Sequence, residues 1–188
     1  MHYTSIENIH KVIDPLFLDD LKAEFETIKE TKNAKARTEK VIAFQRKLGS
    51  LKFLDPACGS GNFLTETYLS LRKLENECLR LRFDQSVLDV FEDAVFVQIH
   101  QFYGIEINDF AAVVAKTALW IAESQMMKET SDILQRNLDF LPLKSYANIV
   151  EGNALQMDWG SIGQEDTSHG DVGNVAPYDY ILGNPPFV

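Results

Sequence analysis

Residues 51–64 read LKFLDPACGSGNFL and are the most informative segment of the sequence for the fold. Its apolar start is typical of a buried strand, and Gly59-Ser60-Gly61 precedes an apolar-periodic helix. The order predicts a strand, a tight turn and a helix. Because glycine has no Cβ, a ligand can lie against bare backbone amides at the positive end of this helix. A plain loop between a strand and a helix could also contain such glycines. The segment lacks the Gly-x-Gly-x-x-Gly spacing of dinucleotide-binding folds, which argues against a dehydrogenase.

The length and composition predict a single domain with one hydrophobic core, since 45% of the 188 residues are hydrophobic. No apolar run approaches the roughly 20 residues that span a bilayer, so we expect a soluble, cytoplasmic protein without membrane contact. The two cysteines have neither the spacing of a metal site nor that of a disulfide framework. We therefore expect no metal.

The net charge of −10 is spread unevenly along the chain. Residues 1–54 contain ten Lys and Arg residues and eight Asp and Glu residues. The remaining residues contain eight Lys and Arg residues and twenty Asp and Glu residues. Proteins that bind DNA by themselves usually carry a basic patch. If DNA is the substrate, most phosphate contacts must come from protein outside this chain. The basic residues of 32–40 could contact phosphates, although a solvated loop or helix end is the simpler interpretation.

Three later segments, short and rich in apolar residues, predict further parallel strands. They are residues 101–108 (QFYGIEIN), 147–151 and 178–182. An acid at the end of the second parallel strand is the usual partner of ribose hydroxyls, because a carboxylate accepts from both at once. Glu106 occupies that position, which an ordinary surface acid could also fill.

The first fifty residues predict helices. Thr4 or Ser5 would cap the first, Glu7 would close a capping box, and Pro15 would kink the helix or divide it in two. Other expected elements are a helix over 62–82, a strand or helix end over 95–99, a buried helix over 109–127 capped by Asp109, and a long loop over 160–177.

The last quoted strand runs into Asn184-Pro185-Pro186-Phe187, whose residue types suit one chemical problem. An exocyclic aromatic amine is a poor nucleophile, and two acceptors aimed at its N–H bonds would stabilise charge as it develops on nitrogen. The Asn184 side-chain oxygen and the Pro185 carbonyl can supply them, and the two prolines hold the backbone in place. Phe187 offers a face on which a flipped base can stack. Alone, the motif could be a rigid turn.

Residues 55–63, DPACGSGNF, resemble the cofactor loop of the S-adenosylmethionine-dependent DNA amino-methyltransferases, and Asn-Pro-Pro-Phe follows in that family's order. The order resembles the gamma arrangement of type I modification subunits and combined type IIG restriction-modification enzymes. The resemblance implies an α/β fold with a doubly wound, Rossmann-like class I methyltransferase sheet. It also implies S-adenosylmethionine as cofactor and N6-adenine methylation of DNA in a restriction-modification system, with N4-cytosine sharing the same motif.

The resemblance further implies which residues bind the cofactor. The segment with Tyr3 and Thr4 would close over its methionine end, and Asn153 would meet its adenine where the family more often has Asp. An amide oxygen there can still accept from the exocyclic amine. The implied set is Tyr3, Thr4, Asp55, Pro56, Ala57, Cys58, Gly59, Gly61, Asn62, Phe63, Glu106, Ile107, Asn153, Ala154 and Asn184.

The family's sheet has seven strands, and this chain predicts four. We therefore expect residues 1–50 to be a helical segment that closes over the cofactor and residues 51–188 to be a truncated α/β domain. DNA would bind through a target-recognition domain that is missing, and the chain alone would be inactive. The exposed edge of the fourth strand predicts a dimer or aggregate.

Two other functions stay open. Protein glutamine N5-methyltransferases also use Asn-Pro-Pro followed by an aromatic residue, but Asp55-Pro56-Ala57-Cys58 favours DNA. The chain could instead be a cofactor-binding or interaction module without activity.

Overall fold

A computed structural model describes residues 4–83, 95–135, 147–162 and 178–185. Four strands form one parallel sheet in the order β3-β2-β1-β4, which confirms the predicted α/β class. The strands are β1 (Phe53–Asp55), β2 (Phe102–Glu106), β3 (Asn148–Glu151) and β4 (Tyr180–Ile181). The chain moves from β1 outward to β3 and then returns to the other side of β1. This reversal creates a topological switch point, where open parallel sheets bind ligands.

Five α-helices surround the sheet in the described residues. They are α1 (Ile6–Ile13), α2 (Asp19–Lys29), α3 (Ala34–Ser50), α4 (Asn62–Phe83) and α5 (Asp109–Leu134). A π-helical turn, Asp14–Leu18, joins α1 to α2, and 3-10 turns lie at Ile99–Gln101 and Trp159–Ser161. No helix in the described ranges is long and apolar enough to cross a membrane.

An aromatic ladder on one face of the sheet connects it to the N-terminal helices. Phe53 pairs in register with Phe102 and Tyr180, with ring centroids 5.3 and 5.4 Å apart. Phe17 of the π-helical turn packs against Phe53 and Tyr180, at 5.2 and 5.0 Å. The helices of residues 4–50 therefore share one core with the sheet.

The π-helical turn rules out one of the two outcomes predicted for Pro15, the division of the first helix in two. The helix continues, because the backbone N–H of Asp19 bonds to the Asp14 carbonyl five residues earlier. The wider turn accommodates a ring that a regular α-helix would press against the carbonyl of Lys11.

Several predicted helix ends also differ. Ser5 caps α1 by accepting from Asn8 N, while Glu7 pairs with Lys11 at 3.1 Å instead of closing a capping box. Asn33 caps α3 at Ala34, so most of the polar stretch 32–40 is helical. Asn108, rather than Asp109, caps α5. Residues 95–98 are irregular, neither strand nor helix.

A buried polar network joins α4 to α5. Arg72 and Glu75 pair with each other and are fully buried. Arg72 also donates to Thr130 Oγ1 at 2.7 Å, and Glu75 accepts from the backbone N–H groups of Phe96 and Val97 at 2.7 and 3.2 Å. Burial raises the pKa of Glu75 although Arg72 acts to lower it. The pair thus ties two helices and an irregular segment together in the core.

Candidate functional site

The predicted site residues that the structure describes lie at the carboxyl edge of the sheet and at the start of α1. The first strand ends on Asp55, the second on Glu106, and Asn184 follows β4. Because β1 lies between β2 and β4, these three residues flank the switch point. Tyr3, Pro186 and Phe187 lie outside the described residues.

The glycine turn after β1 has the left-handed backbone that only glycine adopts freely. Gly59 has φ 56° and Gly61 has φ 81°. The two residues differ in surroundings: a Cβ on Gly61 would lie 2.9 Å from Ala115 Cβ, whereas one on Gly59 would meet nothing within 4 Å. Gly61 is therefore needed for packing against α5, and Gly59 leaves open space in which a ligand can reach the backbone. Asn62 and Phe63 begin α4 directly after this turn.

The carboxylate of Glu106 holds the turn against the end of β2. Its Oε2 accepts from Gly59 N at 2.8 Å and its Oε1 from Asn108 N at 3.0 Å. Each carboxylate oxygen has a further lone pair. Glu106 is therefore fixed in orientation and still able to accept from two ligand hydroxyls.

Asp55 is a buried acid that connects the glycine turn to the end of β4. Burial raises its pKa to about 7, with a further increase from Glu106, while the N–H of Ala57 acts to lower it. Its Oδ1 accepts that N–H at 3.0 Å. Gly183 lies directly against it, since a Cβ on Gly183 would collide with the Asp55 carboxylate. The predicted cofactor turn and the residue preceding Asn184 are thus in contact.

Cys58 has a structural role in this turn. Burial raises the pKa of its thiol to about 12, so the reactive thiolate is not formed near neutral pH. A Cβ on Gly104 would lie 2.9 Å from its sulfur, which therefore fills the space above β2. No cluster of three potential metal ligands exists within the described ranges.

Asn153 lies in the turn after β3. Its Oδ1 accepts from Leu155 N at 3.0 Å, and the neighbouring Gly152 N donates to the Glu106 carbonyl at 2.9 Å. The Ala154 carbonyl accepts from the indole N–H of Trp159 at 2.8 Å. These bonds hold the turn beside the end of β2.

Three apolar side chains are exposed near this turn, of which only Ile107 was predicted. Ile107, Phe110 and Leu155 are 70%, 73% and 93% exposed. Apolar side chains that are exposed together can form a ligand-binding surface. The sequence carried no clear signal for Phe110 or Leu155, because neither belongs to a motif and only the structure shows that their side chains are exposed.

Asn184 makes a long-range contact that the sequence did not indicate. Its side-chain Nδ2 donates to the Thr4 Oγ1 at 3.2 Å, although the two residues are 180 positions apart. No described residue donates to its Oδ1. The geometry thus brings together Thr4, Asp55, Glu106 and Asn184 around one edge of the sheet.

Residues 30–188 match a family model described as "MmeI, DNA-methyltransferase domain". The chain belongs to this family. DNA methyltransferase A of Bacillus subtilis (strain 168) is 38% identical over 193 residues, covering 100% of this chain and 20% of that protein. A putative type II restriction enzyme and methyltransferase of Methanocaldococcus jannaschii is 30% identical over 80% of this chain and 12% of its own length.

A solved structure of the type IIL restriction-modification enzyme MmeI in complex with DNA is also similar. The TM-score is 0.74 and the identity 48%, over 84% of this chain and 20% of that one. The MmeI family thus confirms the resemblance to DNA methyltransferases of restriction-modification systems. The chain spans a fifth or less of the length of these relatives.

Proposed function

We propose that this chain is the N-terminal catalytic part of an S-adenosylmethionine-dependent DNA methyltransferase of a restriction-modification system, acting in the cytoplasm on the N6 amine of adenine. The observation that carries the proposal is the contact between the Asp55 carboxylate and Gly183. It sets the glycine turn beside Asn184, so that a bound methyl donor and an acceptor amine would meet at the switch point.

The described residues fit the cofactor's chemistry, which supplies an electrophilic methyl group on a sulfonium centre. The open space over Gly59 admits a ligand to the backbone, and the first N–H groups of α4 have no intrahelical partner. Glu106 can accept from both ribose hydroxyls. The carboxylate of Glu106 suits a ligand that carries positive charge. The exposed side chains of Ile107 and Phe110 can contact a purine ring beside Asn153.

The acceptor side of the reaction falls to Asn184 and Pro185. The side-chain oxygen of Asn184 and the backbone carbonyl of Pro185 would each accept a hydrogen bond from the target amine. Together they would stabilise the charge that develops on its nitrogen. Phe187 would stack on the flipped base. A general base is not required in the transfer step, because the methylated amine can lose its proton to water afterwards.

DNA binding would depend on protein outside this chain. The acidic residues after Leu54 would repel the phosphates of a DNA duplex. The fourth strand, β4, lies at the edge of the described sheet, where further strands could pair. Residues 1–50 would close over the cofactor, and 51–188 would supply the truncated domain. Alone, the chain is expected to be inactive and to dimerise or aggregate through β4.

Calorimetric titration of this chain with S-adenosylmethionine is expected to give saturable binding at or below millimolar cofactor. Replacing Gly59 by alanine should weaken that affinity by at least about tenfold, roughly 1.4 kcal/mol, because the new Cβ occupies the open space of the turn and strains its left-handed backbone. Gly160→Ala is the control, since its Cβ would lie 3.4 Å from the nearest atom, a side-chain oxygen of Asp158. No binding heat from the unmodified chain would refute the cofactor assignment.

The longer protein that contains this chain is expected to methylate unmodified DNA. Digestion of the product to nucleosides and mass spectrometry should give N6-methyldeoxyadenosine, the product that the family resemblance implies, although N4-cytosine enzymes share the Asn-Pro-Pro-Phe motif. N4-methyldeoxycytidine would overturn the choice of base and leave DNA methylation standing. Methyl transfer only to a glutamine amide of a protein would overturn the DNA substrate itself.

A further inference from the structure

The contact between Thr4 and Asn184 joins the N-terminus of α1 to the residue proposed to bind the acceptor amine. Asn184 is exposed and follows a strand of only two residues, so the strand itself does little to orient its side chain. The Thr4 hydroxyl oxygen accepts from its Nδ2 at 3.2 Å. The contact therefore supplies an orientation that β4 does not.

The orientation matters because a side-chain amide has two chemically opposite ends. Its oxygen accepts hydrogen bonds and its NH₂ group only donates them, although the two are nearly equal in size. An amine substrate presents N–H donors, so an NH₂ group turned towards it would repel it. In the observed arrangement the Thr4 hydroxyl accepts from the NH₂ end, which leaves the Asn184 oxygen available to the substrate.

The helix that follows Thr4 is held to α4 by the side chain of His10. His10 Nδ1 lies 2.7 Å from Asp14 Oδ1, and its Nε2 lies 3.0 Å from Glu66 Oε1 on α4. The bond to Asp14, with a smaller contribution from Glu66, raises the pKa of His10. The helix is thereby anchored to α4.

The same N-terminal segment is anchored to β4. Phe17 packs on Tyr180 with ring centroids 5.0 Å apart, and Tyr180 lies four residues before Asn184. Ile9 and Ile13 of α1 are buried in the same core. Thr4 and Asn184 therefore project from two elements that are packed against one another.

We propose that Thr4 is a positioning residue that holds the side-chain amide of Asn184 with its oxygen towards the acceptor amine. The inference rests on the proposed function, since it assigns Thr4 a part in methyl transfer rather than in cofactor binding. The two roles predict different kinetics. A cofactor contact would change the KM for S-adenosylmethionine, whereas a positioning contact changes kcat.

The experiment compares Thr4→Val and Thr4→Ser in the longer, methylating protein. Thr4→Val removes the acceptor and keeps the shape, so kcat should fall by about tenfold, the equivalent of one hydrogen bond, while the KM for S-adenosylmethionine changes less than twofold. Thr4→Ser restores the hydroxyl and should restore kcat. Thr27→Val is the matched control, because Thr27 Oγ1 donates to the Ala23 carbonyl within α2 and lies outside the proposed site.

A double-mutant cycle with Asn184→Ala separates the inference from the proposed function. Once the amide is gone, Thr4→Val should have no further effect on kcat. If Asn184→Ala inactivates the enzyme while Thr4→Val leaves kcat unchanged, the positioning role is wrong and the proposed function stands. A rise in the KM for S-adenosylmethionine at constant kcat would also overturn positioning, in favour of a cofactor contact. If the wild-type protein methylates no DNA, both the positioning role of Thr4 and the proposed function are wrong.

Discussion

Replacing Asn184 by alanine is expected to lower the kcat of DNA methylation by about 10² to 10³, the loss that follows removal of one pre-organised hydrogen-bonding group in other active sites. The acceptor amine would then lose the Asn184 oxygen and keep only the carbonyl of Pro185. Because the change affects charge that develops in the transition state, the KM for S-adenosylmethionine should change little. Single-turnover transfer of a labelled methyl group to DNA by the longer protein measures this directly.

Asn148→Ala is the matched control for this variant. Asn148 belongs to the same sheet but begins β3 at its amino end, where its Nδ2 donates to the His100 carbonyl at 2.7 Å. The Asn148→Ala variant is expected to change the stability slightly and to leave methyl transfer unchanged. Full activity of Asn184→Ala would show that the acceptor amine is held by other groups.

Replacing Arg72 by methionine is expected to lower the free energy of unfolding by about 3 to 5 kcal/mol, because it leaves the fully buried Glu75 without its partner. Urea unfolding of the chain, followed by circular dichroism, measures the change. The loss should grow with pH. Burial already raises the pKa of Glu75 above its ordinary value of 4.5, and removal of Arg72 raises it further. Between pH 4.5 and the raised pKa, the folded variant therefore binds more protons than the unfolded chain, and its stability falls as the pH rises.

Arg80→Met provides the control on the same helix. Arg80 pairs with Glu129 at 2.9 Å, also between α4 and α5, but the two side chains are 50% and 40% exposed. Its loss should cost less than about 1 kcal/mol. Adding Glu75→Gln to Arg72→Met should recover part of the stability, because an uncharged amide still accepts from Phe96 N. An equal effect of Arg72→Met and Arg80→Met would contradict the burial argument.

The glycine turn and the helix after it could be predicted because their signals are local. An apolar run, two glycines and a periodic helix lie within a few residues of one another, and the helix predicted over 62–82 is observed as Asn62–Phe83. Glu106 was also predictable, since a parallel strand places its last residue at a known edge. Local chemistry thus determines this half of the site.

Features that depend on partners distant in the chain could not be predicted. The contact of Phe17 in the π-helical turn with Tyr180 joins residues far apart in the chain, and the sequence near Pro15 does not reveal it. The bond between Thr4 and Asn184 needs the whole core in place. The buried pair of Arg72 and Glu75 lies three residues apart on α4, like many solvent-exposed pairs, and only the packed helices distinguish it.

The helix between Thr4 and Phe17 also makes chain length part of the site. Each residue of an α-helix turns it by about 100° and advances it by about 1.5 Å. With Phe17 anchored in the core, loss of one residue from the regular turns of Ile6–Ile13 would swing Thr4 around the helix axis and away from Asn184. Surface loops absorb insertions and deletions readily. Substitution of exposed side chains would leave the register of this helix unchanged, whereas an insertion or deletion would displace Thr4 from Asn184.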